Sequence, residues 1–211
     1  EDIGIFLSDF SAEYPDVEIV TVIRTADELV RYMINGDIDC CFLISDVVGG
    51  NLSDIKPLFA GTSYDITTLQ VSKDLFVCMS VGDKETLRDQ LKMSDLAGKR
   101  FIFNLWSITR IRWANDSKIP LFSSIGLSED DFEVSFEDYT NESYIMGLVE
   151  RGFGIVPLAF CSGAPYHGTV RKRICDWNGS SKLFFVCRKA AFGRLSELRE
   201  GVLKRWEDKD K

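Results

Sequence analysis

The sequence predicts an α/β fold, and three observations carry that prediction. The first 44 residues alternate helix-period and strand-period apolar patterns, joined by short links. Leu148 to Pro157, Leu-Val-Glu-Arg-Gly-Phe-Gly-Ile-Val-Pro, spells a helix end, a stop, a short buried strand and a second stop. The length of 211 residues, 45% hydrophobic and 27% charged, suits one large globular domain or two lobes of about 100 residues each.

Each element has a local reason. Ile3 to Tyr14 places Ile3, Phe6, Leu7, Phe10 and Tyr14 on one helical face, and Pro15-Asp16 breaks the helix. Val17 to Ile23 alternates and predicts a strand. Thr25 to Glu28 is a capping box, followed by Leu29, Val30, Met33 and Ile34 at helical spacing and a stop at Gly36. Ile38 to Ile44 is a nearly continuous apolar run, the pattern of a strand buried on both faces, and the helix–strand alternation around it implies a parallel sheet. Asp46 to Tyr64 reads as loop. Strands are expected at Ile66–Val71, Leu75–Val81, Phe101–Phe103, Phe132–Phe136, Val170–Ile174 and Leu183–Cys187, with a short capped helix at Ser94–Gly98.

The helix over Ser143–Arg151 carries Ile145, Leu148 and Val149 inward. Gly152 supplies the left-handed residue at its end, and Gly154 allows a close backbone approach. Ile155-Val156 forms the strand, and Pro157 ends it by removing a ladder donor. Upstream, Thr140 and Asn141 are cap residues whose helix start leaves N–H groups open to an anion. Gly193 to Trp206 closes the chain as a helix with Leu195, Leu198, Val202 and Trp206 inward.

Composition excludes several classes. The chain carries 25 basic and 33 acidic residues, a net charge of −8, which argues against a nucleic-acid surface. Arg171-Lys172-Arg173 runs the other way and reads as a solvated strand edge. No apolar run approaches the roughly 18 residues of a membrane span. Glu1-Asp2-Ile3-Gly4 lacks the basic start of a secretory signal, and the absence of an initiating Met reads as a fragment or processed product.

Six cysteines and one histidine occur. Cys40, Cys41, Cys78 and Cys187 fall in or beside apolar runs and read as small buried hydrophobes. Without a C-x-x-C pair no metal site is expected. Cys161, His167 and Cys175 lie close in sequence, and a thiol sensor at Cys161 or Cys175 is one alternative. The cysteine pattern fits a reducing cytoplasm. No Ser-His-Asp set, Walker-type loop or other catalytic constellation stands out, so no enzyme activity and no cofactor are expected.

Four motifs, in order and spacing, carry a resemblance. Phe10-Ser-Ala-Glu-Tyr-Pro-Asp-Val17 resembles F-x-x-x-Y-P-x-V, and Leu29 through Asn35-Gly36-Asp37-Ile38-Asp39 resembles L-x-x-G-x-L-D. Met93 to Ile102 resembles the stretch that opens a second lobe. Leu148 to Pro157 resembles V-x-x-G-x-G-i-x-x-l-P, one position short of the usual Pro. Over nearly its whole length the chain resembles the effector-binding domain of LysR-type transcriptional regulators.

That resemblance implies a two-lobed fold of the type 2 periplasmic-binding-protein kind. Two strands cross between the lobes, and a small-molecule cleft lies between them. Lobe I is then residues 1–80 plus 183–211 and lobe II residues 81–182, with crossings near Met79–Gly82 and Lys182–Phe185. The winged helix-turn-helix of the family and the first strand of lobe I are absent from this chain. DNA is therefore expected only through a missing N-terminal domain. Gly82-Asp83-Lys84 also replaces the usual H-P-L, and Asp46–Tyr64 is longer than the family norm.

Carried over by position, the resemblance places effector contacts at Ser45 and Asp46, at Ser107, Thr109 and Arg110, and at Thr140 with Asn141. Hydroxyls, a helix N-terminus and an arginine suit a carboxylate. Trp106 covers an apolar body. Asp46 and Glu142 oppose an anion unless the ligand also bears an amine. The bland alternatives are a strand end at Ser45, a helix cap at Ser107 and Thr109, and a surface ion pair at Arg110. The resemblance further implies a homodimer or tetramer, with the Ile3–Tyr14 helix against the Ser143–Arg151 helix of a partner. The alternative within the same architecture is a solute-binding protein for membrane transport.

Overall fold

The computed structural model describes residues 2–24, 26–45, 56–59, 63–104, 133–137, 142–158, 164–193 and 195–207. Helices α1 (Asp2–Glu13) and α2 (Ala26–Asn35) precede strand β1 (Cys40–Ser45). Strands β2 (Tyr64–Ser72), β3 (Phe76–Ser80), β4 (Arg100–Asn104) and β5 (Glu133–Glu137) follow. Helix α3 (Glu142–Glu150), strands β6 (Val156–Leu158), β7 (Thr169–Arg173) and β8 (Ser181–Arg188), and helix α4 (Ser196–Glu207) complete the order.

The described strands form two three-stranded sheets and a parallel pair. In the first, the order is β1-β8-β2 and both pairings are antiparallel. In the second, β6-β3-β7 is antiparallel. The parallel pair β4–β5 joins β6 through a bridge between Phe101 and Ile155, with Ile102 N–H donating to Ile155 C=O and Ile155 N–H to Arg100 C=O, both at 2.8 Å.

The parallel sheet expected from the opening pattern is therefore not what the chain builds. β1 pairs with β8, a strand some 140 residues away that returns from the second sheet, and the pairing runs antiparallel. The apolar run of β1 still has partners on both faces: Cys41 and Leu43 are buried beside α2, and Cys40, Phe42 and Ile44 are half-buried against the α1–α4 core. Leu183, Phe185 and Cys187 of β8 pack with Phe6, Phe10, Leu198, Val202 and Trp206 of α1 and α4. Phe184 and Val186 face the other way, with Val30 and Met33 of α2 and with Cys41 and Leu43.

Val17–Ile23 departs most clearly from the sequence expectation. It takes no regular secondary structure, and Val20 is 79% exposed. An alternating pattern makes a strand only where a neighbour accepts its ladder, and none of the described strands pairs with it. The capping residue Thr25 lies outside the described residues. The Ser94–Gly98 helix is a single 3-10 turn, Met93–Leu96, whose Asp95 carboxylate accepts from the Lys92 N–H at 2.9 Å. Pro157 does not end its strand but sits inside β6, opposite Val77. β6 presents only one edge to β3, so a residue without an N–H is tolerated there. Arg171, Lys172 and Arg173 lie on β7, an edge strand, as expected.

The second sheet is also covered on both faces. Leu75, Val77 and Met79 meet Leu91, Met93, Leu96, Phe101, Ile155 and Ile174 on one side. Cys78 and Val156 meet Ile102, Ile145, Met146 and Val149 on the other, which docks α3. The chain leaves the first sheet after Ser72 and enters the second at Phe76; it leaves the second after Arg173 and re-enters the first at Ser181. The first change of sheet therefore falls before the Met79–Gly82 position read from the sequence, and the second just before Lys182.

Candidate functional site

The two changes of sheet mark one end of each sheet. In the first, Ser72 lies opposite Ser181, and Lys182 lies opposite both Val71 and Ser45. The last residue of β1 is therefore at the crossing end. In the second, β3 starts at Phe76, opposite Leu158 of β6 and Arg173 of β7. Since β6 runs antiparallel to β3, its far end also faces the crossing. The bridge from Ile155 to Phe101 is parallel, so β4 and β5 run the same way. Their last residues, Asn104 and Glu137, lie side by side at the crossing end.

Strand ends, crossings and a helix start thus converge. From Asn104 the chain enters 105–132, and from Glu137 it reaches the start of α3 within five residues. Ligands of open α/β sheets sit beyond the carboxyl ends of strands at such switch points. Of the expected contact residues, Ser45 is placed at this end. Asp46, Ser107, Thr109, Arg110, Thr140 and Asn141, with Trp106, lie outside the described residues. Sequence reasoning misses Lys182, a half-buried cation directly across from Ser45. The sequence places it near a crossing, and that it faces Ser45 follows only from the β1–β8 register.

A second feature lies at the opposite end of β4 and β5. Asp83, Gly98, Lys99, Arg100, Glu133 and the Gly152–Ile155 turn line a cavity of about 290 Å³. Its charges are internally matched. Arg100 pairs with Glu133, and Lys99 pairs with Asp83 and, at 3.1 Å, with buried Glu85. Burial works against the Glu85 charge, yet backbone hydrogen bonding and Lys99 outweigh it and hold the carboxyl below its ordinary value. Burial likewise opposes the Lys99 charge, and the two carboxylates override it and raise the ammonium. This ion-paired cluster anchors the start of β4, far from the converging strand ends.

The turn beside it has the two glycine roles read from the sequence. Gly152 takes φ +75°, its N–H donates to Val149 C=O at 2.9 Å, and Phe153 N–H donates to Leu148 C=O at 3.0 Å, closing α3. A Cβ on Gly154 would stand 2.8 Å from the Arg100 carbonyl oxygen. The possible thiol cluster is not assembled among the described residues. His167 meets Glu150 at 3.2 Å, Cys175 is an exposed thiol, and Cys161 lies outside the described residues. Among the described residues no group of three or more His, Cys, Asp or Glu could hold a metal ion. No helix among them is long and apolar enough to cross a membrane.

These features define a two-lobed α/β architecture of the periplasmic-binding-protein kind. No protein-family model and no curated protein matches the sequence. Solved structures do. The regulatory domain of CcmR from Synechocystis, in complex with 2-PG, matches 97% of this chain and 90% of its own at TM-score 0.70 and 15% identity. The effector-binding domain of QuiR, in complex with shikimate, matches 98% of this chain and 90% of its own at TM-score 0.71 and 13% identity. HinK, a LysR-family transcriptional regulator from Pseudomonas aeruginosa, matches 97% of this chain at TM-score 0.65 and 18% identity, and this chain spans 65% of its length. The fold is that of the effector-binding domains of LysR-family regulators.

Proposed function

We propose that this chain is the effector-sensing domain of a LysR-type transcriptional regulator. It binds a small polar or acidic metabolite between its lobes and controls the oligomer of a DNA-bound protein. The observation that supports this most is the match of nearly the whole chain to regulatory domains that carry small molecules, with strand ends and a helix start converging at the crossing. The matched structures are regulator domains rather than enzymes or transport proteins. DNA contact belongs to a separate N-terminal domain.

The lobes are the β1-β8-β2 sheet with α1, α2 and α4, and the β5-β4-β6-β3-β7 sheet with α3. Ser45, Asp46, Ser107, Thr109, Arg110, Thr140 and Asn141 hold the ligand, and Lys182 supplies a further cation at the crossing. The ligand shifts the lobe equilibrium by its differential affinity for the two arrangements. The chain works as a homodimer, with α1 of one protomer against α3 of its partner.

The test is a thermal-shift screen of the purified domain against small organic acids and amino acids. A true effector at about one hundred times its dissociation constant stabilises the domain by roughly 2.7 kcal/mol. Thr109→Ala and Thr140→Ala each remove most of that shift. A ligand whose shift survives fully in both variants binds elsewhere, and the assignment of the cleft fails.

A further inference from the structure

Cys40 and Cys187 are separated by 146 residues of sequence and stand directly opposite each other on β1 and β8. Opposed residues of neighbouring strands project to the same face of a sheet. The hydrogen-bond pattern sharpens this. Arg188 N–H donates to Asp39 C=O at 3.0 Å, which makes Asp39–Arg188 a hydrogen-bonded pair. The alternate pair Cys40–Cys187 is then non-hydrogen-bonded, the kind whose Cα atoms approach to about 4.5 Å. That is inside the roughly 4.4–6.8 Å window of a disulfide. Both thiols are free. Cys187 is buried against the α1–α4 core, while Cys40 is half-buried, so one member of the pair can be reached from outside.

The neighbouring cysteines do not share this geometry. Cys41, next in the strand, turns to the opposite face among Leu43, Phe184 and Val186. Cys78 belongs to the second sheet, and Cys175 is exposed on a turn. Of the described cysteines, Cys40 and Cys187 alone are cross-strand neighbours.

We propose that Cys40 and Cys187 form a dithiol site that low-molecular-weight disulfides close reversibly into a cross-strand cystine, tying the edge strand β1 to the central strand β8. The Cys40 thiolate attacks a small disulfide, forming a mixed disulfide and releasing one thiolate. The Cys187 thiolate then attacks Cys40 Sγ and expels the second. One small disulfide is reduced to two thiols, two protons are released from the protein and taken up by the products, and one cystine forms.

The surroundings set the rate. Burial, then Cys187 and Asp39, push the Cys40 thiol up to about 12. Burial also pushes Cys187 up to about 11, with Arg199 of α4 opposing and Asp65 of β2 and Asp39 beside β1 adding to the rise. Both thiols are therefore neutral at pH 7, and closure accelerates about tenfold per pH unit through the alkaline range as thiolate appears.

The experiment equilibrates the whole chain, native, with oxidised or reduced glutathione at pH 8, then blocks thiols under denaturing conditions and maps peptides by mass. Oxidised glutathione is expected to give a peptide pair bridged through Cys40 and Cys187, with two thiols lost, and reduced glutathione to erase it. Cys40→Ser should abolish the bridge and leave Cys187 fully alkylated. Cys40 and Cys187 both staying alkylatable while Cys175 is modified would overturn the proposal. So would a bridge that joins either thiol to any other cysteine.

Discussion

At Gly154 a single missing carbon decides whether two strands can meet. The Arg100 carbonyl that accepts the Ile155 N–H would lie 2.8 Å from an added Cβ, with Ile102 carbons equally near. Gly154→Ala therefore has to push β4 away from β6, and overpacking of this kind costs about 1–3 kcal/mol. Urea unfolding of the variant measures that loss, and an unchanged midpoint would mean that the β4–β6 junction gives way freely. This role is legible in the sequence, because a second glycine two residues after a helix stop signals a backbone that must pass close to another. Ser45 is legible as a strand end, because the apolar run stops there. Lys182 is not, since its placement depends on pairing with a segment 137 residues away in sequence. Phe10 shows a subtler limit. Its spacing puts it on the inward face of its helix, and it is only 4% exposed, stacked on Tyr14 at 4.6 Å. It belongs to the core shared by α1, α4 and β8.

Among the elements, β8 does the most. It is central in its sheet, and its side chains feed two cores on opposite faces. Phe184 is fully buried between β8 and α2, and Phe184→Ala is expected to destabilise the chain by about 3–5 kcal/mol through lost transfer energy and a residual cavity. A calorimetric loss below about 1 kcal/mol would show that this face is loosely packed. The elements themselves are largely readable from periodicity and stops: α1, α2, β1, β8 and α4 fall where the apolar spacing puts them. What periodicity does not encode is the neighbour. The helix–strand alternation predicts a parallel first sheet and the sheet is antiparallel, because local alternation says nothing of a strand that returns from elsewhere. Val17–Ile23 has the pattern of a strand, but none of the described strands pairs with it.

Across the whole molecule, the two changes of sheet give the lobes a shared end, and the self-paired cluster of Lys99, Asp83 and Glu85 occupies the other. The overall architecture is legible because four weak motifs occur in order, each fixing a different element. The ligand contacts are less so, since a binding loop is defined by what it surrounds rather than by periodicity. On the proposed dimer, Ile5 is the informative position: it is 46% exposed on α1 and outside the core. Ile5→Asp should leave thermal stability within about 0.5 kcal/mol and weaken self-association. Sedimentation velocity that finds the same dimer in wild type and variant would remove α1 from the interface.

The most direct test of a ligand held between the lobes is hydrogen exchange of the domain with and without the strongest stabilising acid from the screen. A ligand between the lobes slows exchange at the ends of β1, β4 and β5 and at the start of α3, with Lys99–Arg100 and Gly152–Ile155 unchanged. Protection confined to Lys99–Arg100 and Gly152–Ile155 would place the ligand at the far cavity and contradict it.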